Sequence, residues 1–365
     1  MGLKKGQLLG VFCCLLSISA KAQNDTIVPN RHNVVALKLH YGTIVIHTPS
    51  VRNLAGSRPF GGELEFSKVD IDSAAFNKCN CFPRYGVALS YFDLDNPIIG
   101  HGIMMSYFIE PSYRLSNFLQ FNLRAAAGLV YASNPFDSIR NIQNKSYTTH
   151  INPYLQVGIG ITSIINRHFS VALMSGFQHF SNGGFKEPNR GVNWLTGSVG
   201  FLYSIENNVL PKYVRKPYRG WKYTHPEFDA GILYVPGQGY NSKIMARRTF
   251  LGGVFGQVTK PYGRINALTA GAELYYDKIE PSSLTTIKRA PVQAGLQIGH
   301  VFLFNKVTFS QQLGFQLVKA GATAQDFYYR YGLTYKVSRH LIAGINLKTH
   351  SDNAEFADFR FAYRF

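Results

Sequence analysis

The sequence predicts an all-β protein, a transmembrane antiparallel β-barrel. We read it as two eight-stranded barrels in tandem, with one sixteen-stranded barrel as the alternative. Three observations carry this expectation. Aromatic residues make up 14% of the chain against 16% charged residues, a balance expected of strands that alternate apolar-out with polar-in between aromatic girdles. Apolar and polar residues alternate with period two through most of the chain, the repeat of strands with two different faces. Beyond the N-terminal segment no apolar run approaches the roughly 20 residues that a membrane-spanning helix requires.

At the N-terminus, Lys4 and Lys5 precede the apolar run LLGVFCCLLSISA, which ends in Ala20-Lys21-Ala22. This pattern predicts a cleaved signal peptide over 1–22. Cys13 and Cys14 follow Val11 and Phe12, not the small residues of a lipoprotein site, so export without a lipid anchor is expected.

Residues 23–207 form the first expected barrel. Its strands begin with segments near 33–47 and 59–70. Tyr85, Val87, Leu89 and Tyr91 then alternate with Gly86, Ala88 and Ser90. Ile103, Met105, Tyr107 and Ile109 define a fourth strand, Leu119 to Leu129 a fifth, and Leu155, Val157, Ile159 and Ile161 a sixth. A seventh leads through Phe169, Val171, Leu173 and Phe177 to His179 and Ser181, and an eighth runs from Asn193 to Ile205. Each is roughly 9–15 residues, enough to cross a bilayer at a tilt, and eight strands close a small barrel with a filled interior.

Residues 208–226, NVLPKYVRKPYRGWKYTHP, break the alternation with three prolines and a run of basic residues, and read as a basic linker. Neighbouring strands of one barrel rarely need so long a turn, which favours two closed units. Residues 227–365 are expected to be a second, divergent barrel repeat. Alternation recurs around Leu268–Leu274, Val292–Ile298, Val307–Leu317 and Phe327–Tyr335. Arg167-His168-Phe169 leading to His179-Phe180-Ser181-Asn182 is echoed by Arg339-His340-Leu341 leading to His350-Ser351-Asp352-Asn353, an internal repeat. His350 falls on the lumen-side parity, and that copy is read as non-catalytic. The last strand, Phe359, Phe361, Tyr363 and Phe365, resembles the assembly signal of bacterial outer-membrane barrels. It makes the barrel-assembly machinery an expected partner through Phe365.

The formal charge is +18, and removal of Lys4, Lys5 and Lys21 with the signal leaves +15. An exported protein rarely meets nucleic acid, so none is expected as a partner. A phosphate-rich lipid surface, with part of the charge solvating turns and lumen, accounts for the excess.

The chemistry concentrates in GFQHFSNGGFKEPNRGVNW, Gly176 to Trp194. His179 and Ser181 are two residues apart and share the apolar face of their strand. Asn193 lies on the more apolar parity of the eighth strand, with Leu195, Val199 and Phe201. A hairpin loop over roughly 182–192 would set Asn193 beside His179 across the strand pair. A base and a nucleophile on a greasy wall suit a membrane barrel that attacks a lipid.

These residues resemble a known motif. His179-Phe180-Ser181-Asn182, then Pro188-Asn189, Gly191 and position 193, is similar to that of the PagL-type lipid A 3-O-deacylases. These belong with the acyloxyacyl-hydrolase-like outer-membrane proteins, and the resemblance covers about 24–207. It implies an eight-stranded barrel with a Ser-His-Glu triad on its outer wall, acting on lipid A of lipopolysaccharide in the outer membrane. By this resemblance Ser181 is the nucleophile and His179 its general base, with Asn182, Gly183, Gly184 and Asn189 around the oxyanion. Lys186 and Arg190 are candidates to hold lipid A phosphates, or else solvated loop charges. The departure is Asn193 where the family places glutamate. An asparagine oxygen can orient a histidine but cannot offset imidazolium charge, and Glu187 is the nearest substitute acid. Two functions remain open: a lipid A deacylase, or a non-catalytic barrel that keeps the scaffold.

No cofactor or metal is expected. Asp93-Leu94-Asp95-Asn96-Pro97 falls far short of a calcium ligand set, and Cys79-Asn80-Cys81 is no zinc site. The expected compartment permits a disulfide there, although the ring would be tight.

Overall fold

The computed structural model describes residues 30–184, 186–215, 217, 220–235, 240–241, 246–281, 291–304, 306–319, 325–350 and 353–365. The expected signal peptide over 1–22 lies outside the described residues. Eight strands build the first half: β1 (Arg31–Ile44), β2 (Phe60–Asp70), β3 (Phe82–Asp93), β4 (His101–Arg114), β5 (Leu119–Ala132), β6 (Ile151–Ile164), β7 (Phe169–Phe180) and β8 (Val192–Ser204). Each pairs antiparallel with the next, and β8 returns to β1 in a register running from Val34↔Ser204 to Ile44↔Trp194, which closes the barrel.

The second half holds β9 (Glu227–Val235), a short β10 (Tyr240–Asn241), β11 (Ala246–Pro261), β12 (Asn266–Pro281), β13 (Val292–Phe304), β14 (Val307–Val318), β15 (Phe327–Lys336), β16 (Leu341–His350) and β17 (Asn353–Arg364). β9 pairs with both β11 and β17, closing eight strands, while β10 only extends the edge beside β11. The protein is therefore two closed barrels. The sixteen-stranded alternative fails because β8 finds its partner in β1 rather than in β9.

Alternation decides which side chains meet lipid. In β1, Leu37, Leu39 and Tyr41 are exposed while Lys38 and His40 are buried. The interiors are filled with paired charge. In the first barrel Lys38 lies 2.6 Å from Glu65, Arg84 reaches Glu65 and Glu110 at 2.8 Å each, and Arg124 bridges Glu63, Glu65 and Glu110 at 3.0, 2.6 and 3.1 Å. In the second, Arg330 and Arg360 share Glu273, at 2.8 and 2.7 Å, and also share Asp358. A charge inside so narrow a lumen is tolerable only when paired and hydrogen-bonded.

The two ends of the first barrel differ. At one end the connections at 115–118 and 165–168 are tight, whereas at the other those over 45–59, 133–150 and 181–191 are long. Short turns face the periplasm and long loops the exterior in barrels of this kind. At the short-turn end, helix α1 (Ser73–Cys79) joins β2 to β3. Asp72 caps it by accepting from the Ala75 N–H at 2.7 Å, and Asn80 ends it in the left-handed conformation. Cys79 and Cys81 are joined in a disulfide. Phe76 and Phe82 pack there with Ile71 and with Leu210 and Tyr213 from the segment read as a linker, and Arg114 donates to the Leu210 and Pro211 carbonyls at 3.2 and 3.1 Å. The start of that segment thus closes the bottom of the first barrel.

The internal repeat has a physical counterpart in the short turns. His168 stacks on Tyr203 with Nδ1 2.9 Å from the Ser204 carbonyl, and His340 stacks on Tyr363 with Nδ1 2.9 Å from the Arg364 carbonyl.

Candidate active site

β7 and β8 pair in a register that puts His179 directly opposite Asn193. Their chain neighbours Phe180 and Trp194 point inward, are fully buried, and meet edge to face at 5.9 Å between ring centroids. These rings join Phe92, Tyr147 and Tyr154 in the apolar cluster beneath the long loops. Since successive side chains alternate faces, locking Phe180 and Trp194 inward fixes His179 and Asn193 outward. His179 Nδ1 lies 2.5 Å from Asn193 Oδ1, and His179 Nε2 lies 3.1 Å from Ser181 Oγ. Ser181 stands just beyond β7, its N–H donating to the Pro153 carbonyl at 3.4 Å.

The β7–β8 loop is built to hold this row. Gly191 has φ +74°, and a Cβ there would sit 2.7 Å from His179 Cε1 and 3.3 Å from Ser181 Cβ. Only glycine meets both demands without strain. The loop is tied to the β5–β6 connection. The Arg190 and Gly191 N–H groups donate to the Lys145 and Ser146 carbonyls at 3.0 and 2.7 Å, and the Thr148 hydroxyl lies 3.2 and 2.5 Å from the Lys186 and Pro188 carbonyls.

Within the loop the expected oxyanion residues separate into two groups. Asn182 is buried: its amide donates to the Lys186 carbonyl at 2.6 Å, its Oδ1 accepts from the Gly184 N–H at 3.0 Å, and its own N–H donates to Asn189 Oδ1 at 2.9 Å. Asn182 and the Gly184 N–H are thus engaged in shaping the loop. The Gly183 N–H and the Asn189 side-chain amide have no hydrogen-bond partner among the described residues. Glu187, the substitute acid, accepts from the Asn189 N–H at 3.1 Å, so the position beside the His179 ring belongs to Asn193. The Lys186 side chain is exposed and that of Arg190 half-buried on the same loop.

One residue of the network escaped sequence reasoning. His47, three residues beyond β1, places Nδ1 3.0 Å from Asn193 Nδ2 and Nε2 2.8 Å from the Arg190 carbonyl. The Val45 N–H also donates to the Asn193 carbonyl at 2.8 Å, which fastens the start of the β1–β2 loop to β8. An isolated histidine in a loop carries no signal of this placement. In the second barrel, His350 lies 2.9 Å from Glu355, which also pairs with Lys348 at 3.0 Å.

Residues 69–201 match the family model of lipid A 3-O-deacylase (PagL), and residues 228–365 match that of the acyloxyacyl hydrolase C-terminal domain. Among curated proteins none matches this chain. Among solved structures, a triple mutant of Rhodopseudomonas blastica porin aligns at 13% identity over 92% of this chain and 99% of its own, with a TM-score of 0.18. The Pseudomonas putida toluene transporter TodX aligns at 8% identity over 92% of this chain and 89% of its own, also at 0.18. Alignments at these scores carry no argument. The two family matches fall one on each barrel and together span most of the chain, so it belongs to the PagL family of outer-membrane lipid A 3-O-deacylase barrels, with an acyloxyacyl hydrolase C-terminal domain as its second half.

Proposed function

We propose that this protein is itself a lipid A 3-O-deacylase, and that Ser181, His179 and Asn193 carry the reaction on the outer wall of the first barrel. The supporting observation is the unbroken row from Ser181 Oγ to His179 at 3.1 Å and from His179 to Asn193 Oδ1 at 2.5 Å, at the long-loop rim of a lipid-facing strand pair. Ser181 Oγ attacks the ester carbonyl carbon while His179 Nε2 takes its proton. The tetrahedral oxyanion is received by the Gly183 N–H and the Asn189 amide. Collapse breaks the bond to the sugar oxygen, which leaves with the proton from His179 as an alcohol. Water, deprotonated by His179, then attacks the acyl-serine and releases the fatty acid and the free hydroxyl of Ser181. Lys186 and Arg190 stand on the same loop to meet the lipid A phosphates.

The domain plan follows: a signal peptide over 1–22, the deacylase barrel over 23–207, a basic linker over 208–226 and a second barrel over 227–365 that enters the assembly machinery through Phe365. Mass spectrometry of lipid A from cells carrying the wild type, Ser181→Ala or no gene tests the reading. Loss of one acyl chain is expected only with the wild type. Identical lipid A in all three, with the barrel present in the membrane, would establish the non-catalytic alternative.

A further inference from the structure

The row of hydrogen bonds does not end at Asn193, and its polarity can be followed atom by atom. The Arg190 carbonyl can only accept, so His47 Nε2, 2.8 Å away, carries a proton. His179 can take a proton from Ser181 only if Nε2 is the bare nitrogen and Nδ1 carries hydrogen, which makes the Asn193 atom at 2.5 Å the amide oxygen. The Asn193 NH₂ then faces His47 Nδ1 at 3.0 Å and needs an acceptor there. Neutral His47 with its proton on Nε2 supplies it. The Val45 carbonyl, 3.4 Å from the same Nδ1, is in this state a neighbour and not a partner.

We propose that His47 is a positioning residue for deacylation: as a neutral acceptor it sets which way the Asn193 amide faces, and through that the tautomer of His179. This rests on the triad reading above. A carboxylate needs no such partner, because both its oxygens accept and either can hold His179 Nδ1–H. An amide has one accepting and one donating end. Turned the other way, Asn193 would donate to His179 Nδ1 and leave the proton on Nε2, aimed at Ser181, where it blocks general-base chemistry. The substitution of asparagine for the family's acid thus creates a requirement that a second residue, arriving from the β1–β2 loop, fulfils.

The test uses the full-length protein in outer-membrane vesicles, with heat-modifiable mobility confirming that each variant forms its barrels. A fluorophosphonate probe reports Ser181 nucleophilicity independently of lipid A, and lipid A hydrolysis is followed in parallel. His47→Phe, which fills the space without an acceptor, is expected to slow labelling at least tenfold and to lower kcat with KM little changed. His47→Asn, whose Oδ1 replaces Nδ1 as acceptor, should recover most of the lost rate. Wild-type labelling by His47→Phe overturns the proposal. So does a His47→Asn variant as slow as His47→Phe, since the residue would then act through shape alone. A wild type that labels at Ser181 but leaves lipid A intact refutes the substrate and spares His47. A folded wild type that never labels removes the triad, and this inference with it.

Discussion

Ser181 and His179 sit outside the packed interior, so truncating them removes chemistry with little loss of packing. Ser181→Ala and His179→Ala are each expected to abolish release of fatty acid from lipid A while the barrels still show heat-modifiable mobility; full activity in Ser181→Ala would move the chemistry elsewhere. Asn193 touches both histidines, at 2.5 and 3.0 Å. Asn193→Leu leaves the His179 ring unoriented, and misplacement of a catalytic group on this scale costs roughly 10²-fold in rate. Asn193→Glu should raise the rate above wild type, because a carboxylate both orients the ring and offsets the imidazolium charge that an amide cannot. Initial rates of lipid A deacylation in membranes are expected to order the three proteins as Glu, Asn, Leu, whereas wild-type rates in both variants would separate Asn193 from the reaction.

The functional element is the β7–β8 loop, whose shape depends on Gly191. Gly191→Ala forces a Cβ to 2.7 Å from His179 Cε1 in a backbone with φ +74°. The left-handed conformation alone costs a non-glycine residue about 1–2 kcal/mol. The substitution is expected to lower both the rate of Ser181 labelling and the resistance of the loop to added protease, with the transmembrane strands unaffected. The strands on either side are held independently by Phe180 and Trp194 in the buried aromatic cluster, so the damage should remain local.

At the scale of the whole molecule, both lumens are closed by matched charge. Lys38, Arg84 and Arg124 face Glu63, Glu65 and Glu110 in one barrel, while Arg330 and Arg360 face Glu273 and Asp358 in the other. Reconstituted in planar bilayers, the protein is expected to show no steady ion conductance; stable channel openings would contradict the filled interiors. Arg330→Met removes one of the two cations that Glu273 and Asp358 share and leaves Arg360 alone to pair both buried carboxylates. Breaking a buried ion pair from one side costs about 3–5 kcal/mol. The variant should therefore lose its heat-modifiable form at a lower temperature than the wild type.

Features that depend on period two and on short separations were legible in the amino-acid order. Strand parity showed which side chains meet lipid, and a hairpin loop between β7 and β8 brought His179 and Asn193 face to face, because their register is set across only 14 positions. The role of Asn182 was not legible, since a motif names a residue without saying whether its amide faces the substrate or its own loop. Strands β9 and β11 are also poorly marked. In β11 the register shifts between Arg248 and Phe250, and the inward residues begin with apolar Leu251 and Phe255 before Gln257 and Thr259, so alternation there is broken at the start and mixed on its inner side. The register in which β8 meets β1, and the arrival of His47 beside Asn193 from 146 positions away, were decided by tertiary structure alone. Periodicity is a property of neighbours along the chain, whereas closing a barrel and completing a hydrogen-bond row depend on which distant backbone and side-chain groups remain to be satisfied once the sheet has curled.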